Sequence, residues 1–153
     1  MTKILFVCHG NICRSPMAEF VMKDMVKKAG LDKKIQVASM ATTTEEIGND
    51  MYPPAKRKLN EKGIPFSQRS ARQMRRIDYG SFDYIIGMDE ENLHDMRRIC
   101  GGDPDGKISL LLDWTVCPRD VADPWYTGNF EATYRDIIDG CSALLAKLKT
   151  MSA

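Results

Sequence analysis

Four apolar residues in succession, Ile4-Leu5-Phe6-Val7, follow Lys3 and run into a loop that contains Gly10 and Asn11. A strand with no polar alternation must be covered on both faces, which places it inside a parallel sheet between two layers of helix. That run disfavours a half-solvated antiparallel sheet and points to an α/β fold. After Ser15-Pro16, Met17, Val21, Met25 and Ala29 recur at helical spacing; Pro16 suits a first helical turn, and Gly30 after Lys27-Lys28 is a stop signal.

The remaining chain keeps the alternation. Ile35-Gln36-Val37-Ala38 reads as a second, weaker strand, Pro53 to Lys62 as a helix closed by Gly63, and Phe82 to Met88 as the segment holding strand Tyr84-Ile85-Ile86. Asp89 can cap the next helix, whose Leu93, Met96 and Cys100 share a face, and Gly101-Gly102 end it. Ile108 to Leu112 reads as a fourth strand followed by a long loop. From Phe130 through Tyr134, Ile137, Ile138, Cys141, Leu144 and Leu145 to Leu148, a 3.6-residue stripe predicts a docked C-terminal helix. Right-handed crossovers then give a single domain over residues 1–153, a four-stranded parallel sheet with helices on both faces, of flavodoxin/Rossmann-like type.

Composition narrows the function. Twenty-two Lys and Arg against twenty-one Asp and Glu leave a net charge of +1, so no global field favours nucleic acid or an anionic membrane, and an anion site has to be local. No apolar run reaches the roughly 20 residues of a membrane span. Five cysteines at irregular spacing, with no signal-like apolar region ahead of them, point to a reducing cytoplasm and not to a disulfide scaffold. Cys100, Cys117 and Cys141 lack zinc-ligand spacing, so no metal is expected.

In such sheets ligands sit beyond the carboxyl ends of the strands. The first connection there reads Cys8-His9-Gly10-Asn11-Ile12-Cys13-Arg14-Ser15. A short loop from a buried strand into a helix N-terminus aims several N–H groups at one point, and Gly10 and Asn11 can take the positive φ of an anion nest. The loop matches neither nucleotide-binding glycine pattern, so nucleotide binding loses its usual warrant. Amide donors and a helix N-terminus favour a thiolate, which makes Cys8 a candidate nucleophile, and the guanidinium of Arg14 can hold two phosphoryl oxygens. Ser15 can donate its hydroxyl to that thiolate and help it leave in a second step, and Asn11 can brace the loop. Taken singly, Cys8 is equally a buried small residue and Arg14 a solvated helix start; bracketing one Gly/Asn loop, they are hard to explain by packing.

The string Val7 to Pro16, V-C-x-G-N-x-C-R-S-P, resembles the active-site signature of the low-molecular-weight protein tyrosine phosphatases. Asp123-Pro124-Trp125-Tyr126 is similar to that family's acid loop, and the stretch from Phe82 to Leu93 adds to the match, so the resemblance covers nearly the whole chain. It implies hydrolysis of phosphotyrosine in proteins and of small aryl phosphates with no metal or organic cofactor. Cys8 is then the nucleophile, Arg14 the phosphate clamp and Asp123 the general acid, inside a phosphate-binding loop of His9, Gly10, Asn11, Ile12, Cys13, Arg14 and Ser15. Inorganic phosphate and other oxyanions are expected inhibitors.

An acid for the departing oxygen belongs on a positioned loop, and Asp113 and Asp120 compete with Asp123 for that role. Trp125 and Tyr126 can wall a slot deep enough for an aryl phosphate, or pack the loop onto the body. Cys13 is either a small buried residue or a thiol that traps oxidised Cys8 as a disulfide. His9 and His94 read as loop and helix-surface residues, and Arg69, Arg72, Arg75 and Arg76 as a solvated face in preference to a docking patch.

Two segments depart from the family pattern. Where it commonly reads S-A-G-T before an aromatic, this chain has Ser39-Met40-Ala41-Thr42 and then Thr44-Glu45-Glu46, which predicts a more polar rim. Where many members carry a histidine before A-R-Q, Gln68-Arg69-Ser70 precede Ala71-Arg72-Gln73, so loop bracing is expected to differ. Rival functions are a thiol-dependent arsenate reductase, a cysteine phospho-carrier and a regulatory phosphate-binding protein. The first needs a further close cysteine pair, the second lacks the arginine and the Asp-Pro acid, and the third has no need of the thiol.

Overall fold

A computed structural model describes residues 1–152. Strand β1 (Thr2–Cys8) leads into α1 (Arg14–Lys28), β2 (Ile35–Ala41), α2 (Pro53–Glu61), the single turn α3 (Asp78–Ser81), β3 (Tyr84–Gly87), α4 (Glu90–Cys100), β4 (Ile108–Leu110), α5 (Pro124–Thr127) and α6 (Phe130–Ser152). The four strands are all parallel in the order β2-β1-β3-β4. The α/β reading from the first apolar run is therefore correct. Ile4, Leu5, Phe6 and Val7 have no exposed surface, worth about 1.5–3 kcal/mol for each such side chain.

Alternation along β1 splits the core in two. Ile4, Phe6 and Cys8 join Met17 and Val21 of α1, Leu59 of α2 and Leu144 of α6 on one face. Leu5 and Val7 meet Met96 and Cys100 of α4 and Met74 on the other. Helix α6 lies so close to the segment after β4 that a Cβ on Gly140 would stand 2.3 Å from Leu111 Cγ. Only glycine fits there. Among the described residues no helix is long and apolar enough to cross a membrane.

Several boundaries differ from the sequence reading. Strand β2 continues to Ala41, because every residue from Thr2 to Cys8 finds a partner from Ile35 to Ala41. Strand β4 ends at Leu110 and its last two expected residues, Leu111 and Leu112, open a 3-10 turn (Leu111–Trp114), in which the Asp113 carboxylate accepts from the Leu110 amide. Helix α1 begins at Arg14, ahead of Pro16; of the expected stripe it buries Met17 and Val21, Met25 is half-buried and Ala29 lies just past its end, while Ala18, Phe20, Met22 and Val26 are buried as well, since both the sheet and α6 cover it. Asp89 caps α4 as expected, accepting from Asn92 N at 2.8 Å. The single-turn helices α3 and α5 lie where only loops were expected. Each is four residues long, too short for periodicity to reveal.

Candidate active site

Strand order reverses beside β1, where β2 lies on one side and β3 on the other, and the loops after β1 and β3 open there. Cys8 is the last residue of β1 and Arg14 the first of α1, so the connection between them is a closed cradle with both side chains turned inward, 3% and 2% exposed. A cleft of about 140 Å³ is lined by Cys8, His9, Gly10, Ile12, Cys13 and Arg14 from this loop, Glu45 and Glu46 from the segment after β2, and Asp123, Trp125 and Tyr126 from across the cleft.

The cradle's backbone turns on Asn11, whose φ is +59°. Asparagine is among the few residues that tolerate the left-handed region when its side chain is tied locally. Here it is fully buried, and its Nδ2 donates to Ser15 Oγ at 2.7 Å and Ser39 Oγ at 2.9 Å. Gly10, expected to share the positive φ, does not adopt it. Its lack of a side chain serves close approach: a Cβ there would stand 3.3 Å from Glu46 Cγ.

Cys8 Sγ and Ser15 Oγ are 3.0 Å apart, and the Ser15 amide donates to the same sulfur at 3.4 Å. Arg14 is fixed from behind, Nη1 donating to Asp89 Oδ2 at 2.7 Å and to the Val121 carbonyl at 2.9 Å, while Nη2 lies 3.4 Å from Asp123 Oδ2. Burial pulls the Arg14 guanidinium down, and Cys8, Asp89 and Asp123 outweigh it, so its pKa lies above the ordinary arginine value. The Cys13 thiol is pushed up to about 12, by burial first and then by Cys8 and Asp123.

Of the three aspartates, only Asp123 reaches the cleft; Asp113 caps its own turn and Asp120 is exposed. Asp123 caps α5, accepting from Trp125 N at 3.0 Å, and Pro124 follows it at the first helical position. Trp125 lies at the cleft and against a neighbouring ring at once. It lines the cleft, and its ring centroid lies 4.9 Å from that of Tyr52. Tyr126 is 84% exposed at the mouth. The polar rim is present as Glu45 and Glu46, and His9 reaches Glu45 through Nε2 at 2.8 Å, so His9 belongs to the cleft wall as well as to the loop surface. His94 is exposed on α4.

One reading is corrected. Arg69 is no part of a solvated face: it is half-buried, with Nη2 donating to Asn11 Oδ1 and Nη1 donating to the Asn49 carbonyl at 3.3 Å. The sequence reasoning also missed Glu19, which accepts from Ser39 Oγ at 2.6 Å, and Tyr52. The sequence alone shows Asp89 as a helix cap only. A carboxylate just past β3, beside the loop after β1, was the available signal for its second role. Among the described residues no group of three or more His, Cys, Asp and Glu is placed to hold a metal ion.

A flavodoxin-like sheet whose switch point carries an anion cradle, with a thiol and a guanidinium inside it and a carboxylate facing it, defines a class of small α/β enzymes that act on oxyanions. Within that class, the family model for low molecular weight phosphotyrosine protein phosphatase matches residues 3–153, and the chain belongs to that family of hydrolases. It is 42% identical over 151 residues to the low molecular weight protein-tyrosine-phosphatase YfkJ of Bacillus subtilis, covering 97% of each chain. The crystal structure of YfkJ superposes with a TM-score of 0.96 over 100% of this chain and 98% of that one. The human low molecular weight phosphotyrosine protein phosphatase is 37% identical, with 94% of each chain covered. A protein tyrosine phosphatase of Entamoeba histolytica, solved with Hepes in the active site, shares 30% identity at a TM-score of 0.91 over 100% of both chains.

Proposed function

We propose that the protein hydrolyses phosphotyrosine in proteins, and small aryl phosphates, in two steps through a cysteinyl phosphate on Cys8. One observation carries this reading: the Cys8 sulfur, the Arg14 guanidinium and the Asp123 carboxyl converge on a single cleft walled by Trp125 and Tyr126. An aryl ring fills such a slot against aromatic walls, whereas a phosphoserine would be too short to bring its phosphorus to Cys8 while covering them.

In the first step the Cys8 thiolate attacks phosphorus, the P–O bond to the phenol breaks, and protonated Asp123 gives its proton to the departing oxygen. Arg14 spends its Nη1 hydrogens on Asp89 and Val121, which leaves its Nε and Nη2 edge for two equatorial oxygens as charge builds on them. The loop amides from His9 to Ser15 surround the three equatorial oxygens from the other side. In the second step Asp123, now a carboxylate, accepts a proton from water as the water attacks phosphorus. The P–S bond breaks, and the Ser15 hydroxyl stabilises the thiolate that leaves.

Inorganic phosphate and vanadate compete for the same cradle. A working thiol requires a reducing compartment, which supports a cytoplasmic location. Cys8 oxidised to its sulfenic acid is trapped, with loss of water, as a disulfide with Cys13, five positions away in the same loop, and a small-molecule thiol then reduces the pair back to two thiols. Rapid mixing with a chromogenic aryl phosphate tests the reading. The expected result is a phenol burst, then steady release, with phosphate trapped on Cys8 by acid quench and peptide mapping. Steady release without trapped phosphocysteine would exclude the covalent route.

A further inference from the structure

Six side chains, from Arg69 behind the cradle to Cys8 within it, form one hydrogen-bonded line that branches at Asn11. Arg69 Nη2 donates to Asn11 Oδ1. Asn11 Nδ2 donates to Ser15 Oγ at 2.7 Å and to Ser39 Oγ at 2.9 Å. Ser39 Oγ donates to Glu19 Oε1 at 2.6 Å. Ser15 Oγ lies 3.0 Å from Cys8 Sγ.

Each link has a direction, and the ends set it. A guanidinium has donors and no acceptor, and a carboxylate has acceptors and no donor. With Arg69 on Oδ1, the Asn11 amide nitrogen must face the two serines and uses both hydrogens on them. Ser15 then accepts from Asn11, so its own hydroxyl hydrogen is free for the sulfur. With the amide reversed, Oδ1 would accept that hydrogen, and Cys8 would lose its hydroxyl donor. Two further contacts act in the same sense: the Arg72 amide points at Oδ1 at 3.4 Å, and Glu19, by taking the Ser39 hydrogen, leaves Ser39 Oγ an acceptor for Nδ2; Arg69 is the one that bears on Oδ1 with a full charge.

We propose that Arg69 is a positioning residue that fixes the polarity of this line and thereby commits the Ser15 hydroxyl to Cys8 as a donor. Its surroundings support that assignment. Arg72, in the same arginine-rich stretch, is 61% exposed at its side chain, whereas Arg69 is half-buried. The Arg69 amide donates to Asp50 Oδ1 at 3.3 Å, and its guanidinium rests on the Asn49 carbonyl, which sets it against the loop. Burial lowers the pKa of this guanidinium, and Glu19, Asp50 and Cys8 counter the change. Arginine remains a cation at neutral pH, so the polarity it imposes does not titrate in the working range.

The kinetic consequence rests on the two-step reading above. A hydroxyl donated to sulfur matters most when the thiolate leaves phosphorus, so Arg69 acts on hydrolysis of the cysteinyl phosphate more than on its formation. The test compares the parent with Arg69→Met, which removes the donors, and Arg69→Lys, which keeps a donor-only cation. In Arg69→Met the burst rate is expected to stay within about threefold of the parent while steady-state kcat falls about tenfold, the equivalent of about 1.4 kcal/mol. Phosphocysteine then accumulates, and Arg69→Lys recovers most of the loss. An unchanged kcat, burst and kcat falling together, or Arg69→Lys faring no better than Arg69→Met would overturn the assignment. Should Arg69→Met fail to fold, Arg69→Gln replaces it, because an amide can donate or accept and no longer dictates direction. Side-chain amide NOEs from Asn11 Nδ2 to Ser15 and Ser39 report the polarity without turnover. They should be present in the parent and Arg69→Lys and lost in Arg69→Met; their persistence in Arg69→Met would overturn the proposal even if the two-step chemistry had failed on its own test.

Discussion

The loop from Cys8 to Ser15 and the loop from Val121 to Gly128 face each other across one cleft and are built on opposite terms. In the first, Cys8, Asn11, Arg14 and Ser15 are at most 3% exposed and are all hydrogen-bonded. In the second, Trp125 is 54% and Tyr126 84% exposed, and the loop is moored by backbone contacts at its start: Val121 N to the Met88 carbonyl at 2.8 Å, Arg14 to the Val121 carbonyl, and Thr133 Oγ1 to the Ala122 carbonyl at 3.1 Å. One loop is a fixed mould for an anion, where a small misplacement costs much of the rate. The other carries the Asp123 carboxyl and exposed aromatic walls, so, with Asp123 as the acid of the proposed mechanism, damage there should depend on the substrate.

The sharpest break between the two comes from the mould. Cys8→Ser should lower aryl phosphate turnover by on the order of 10⁴-fold or more, as loss of a nucleophile does elsewhere. Vanadate titration should still show binding, because the cradle remains. Arg14→Lys should lose roughly 10²–10³-fold, since an ammonium cannot reproduce a two-point grip or hold Asp89 and Val121 together. A silent Arg14→Lys would move the site away from this loop.

Across the cleft, Asp123→Asn should discriminate. A phenol of low pKa departs almost unaided, while a tyrosine-like phenol with pKa near 10 must be protonated as the bond breaks. A loss of roughly 10²-fold is expected for the second substrate and much less for the first, read as kcat/KM over a graded series of aryl phosphates. An equal loss along the series would make Asp123 structural and merge the two loops into one unit.

The same contrast explains what the sequence disclosed. The mould is local: the apolar run into Cys8, the Gly10-Asn11 turn and the helix beginning at Arg14 lie within one short stretch, and their residue types carry their chemistry. Its bracing is not local. Arg69 and Ser39 meet Asn11, and Glu19 meets Ser39, only because β2 runs parallel to β1 and the segment after α2 folds back over it. An arginine among other arginines has no pattern that separates a buried brace from a solvated face. The short helix α5 has no period to read, and the Tyr52–Trp125 contact joins residues distant in sequence, so neither is legible in a local pattern.

Oxidation sharpens the comparison from within the mould. The Cys13 thiol, pushed up to about 12 mainly by burial, is protonated at neutral pH. Disulfide closure needs its thiolate to attack the sulfenic sulfur of Cys8 and expel hydroxide. A raised pKa therefore slows closure at low pH, and the rate should climb by up to about tenfold per pH unit while the thiolate is the minor form. Mass-spectrometric time courses after a peroxide pulse at pH 6, 7 and 8 check this. Cys13→Ser should convert reversible into irreversible inactivation, and a closure rate independent of pH would reject Cys13 as the resolving thiol.

The smallest effect tests whether the acid loop is held separately from the mould. Thr133 is 1% exposed on α6, and its hydroxyl donates to the Ala122 carbonyl next to Asp123. Thr133→Val keeps the shape and removes that donor. Ala122 is exposed, so water can take over its carbonyl, and the stability cost should be about 1 kcal/mol, read from denaturant midpoints. Val121 stays moored by Met88 and Arg14, which confines the disturbance to the residues after it. Asp123 should then sample poorer positions, lowering kcat/KM by about three- to tenfold for tyrosine-like phenols, since about 1 kcal/mol of lost positioning is worth a factor of that order. Good leaving groups and vanadate affinity should be unaffected. If vanadate binding weakens in step with turnover, the disturbance has passed through the Val121 carbonyl to Arg14, and the two loops are mechanically one.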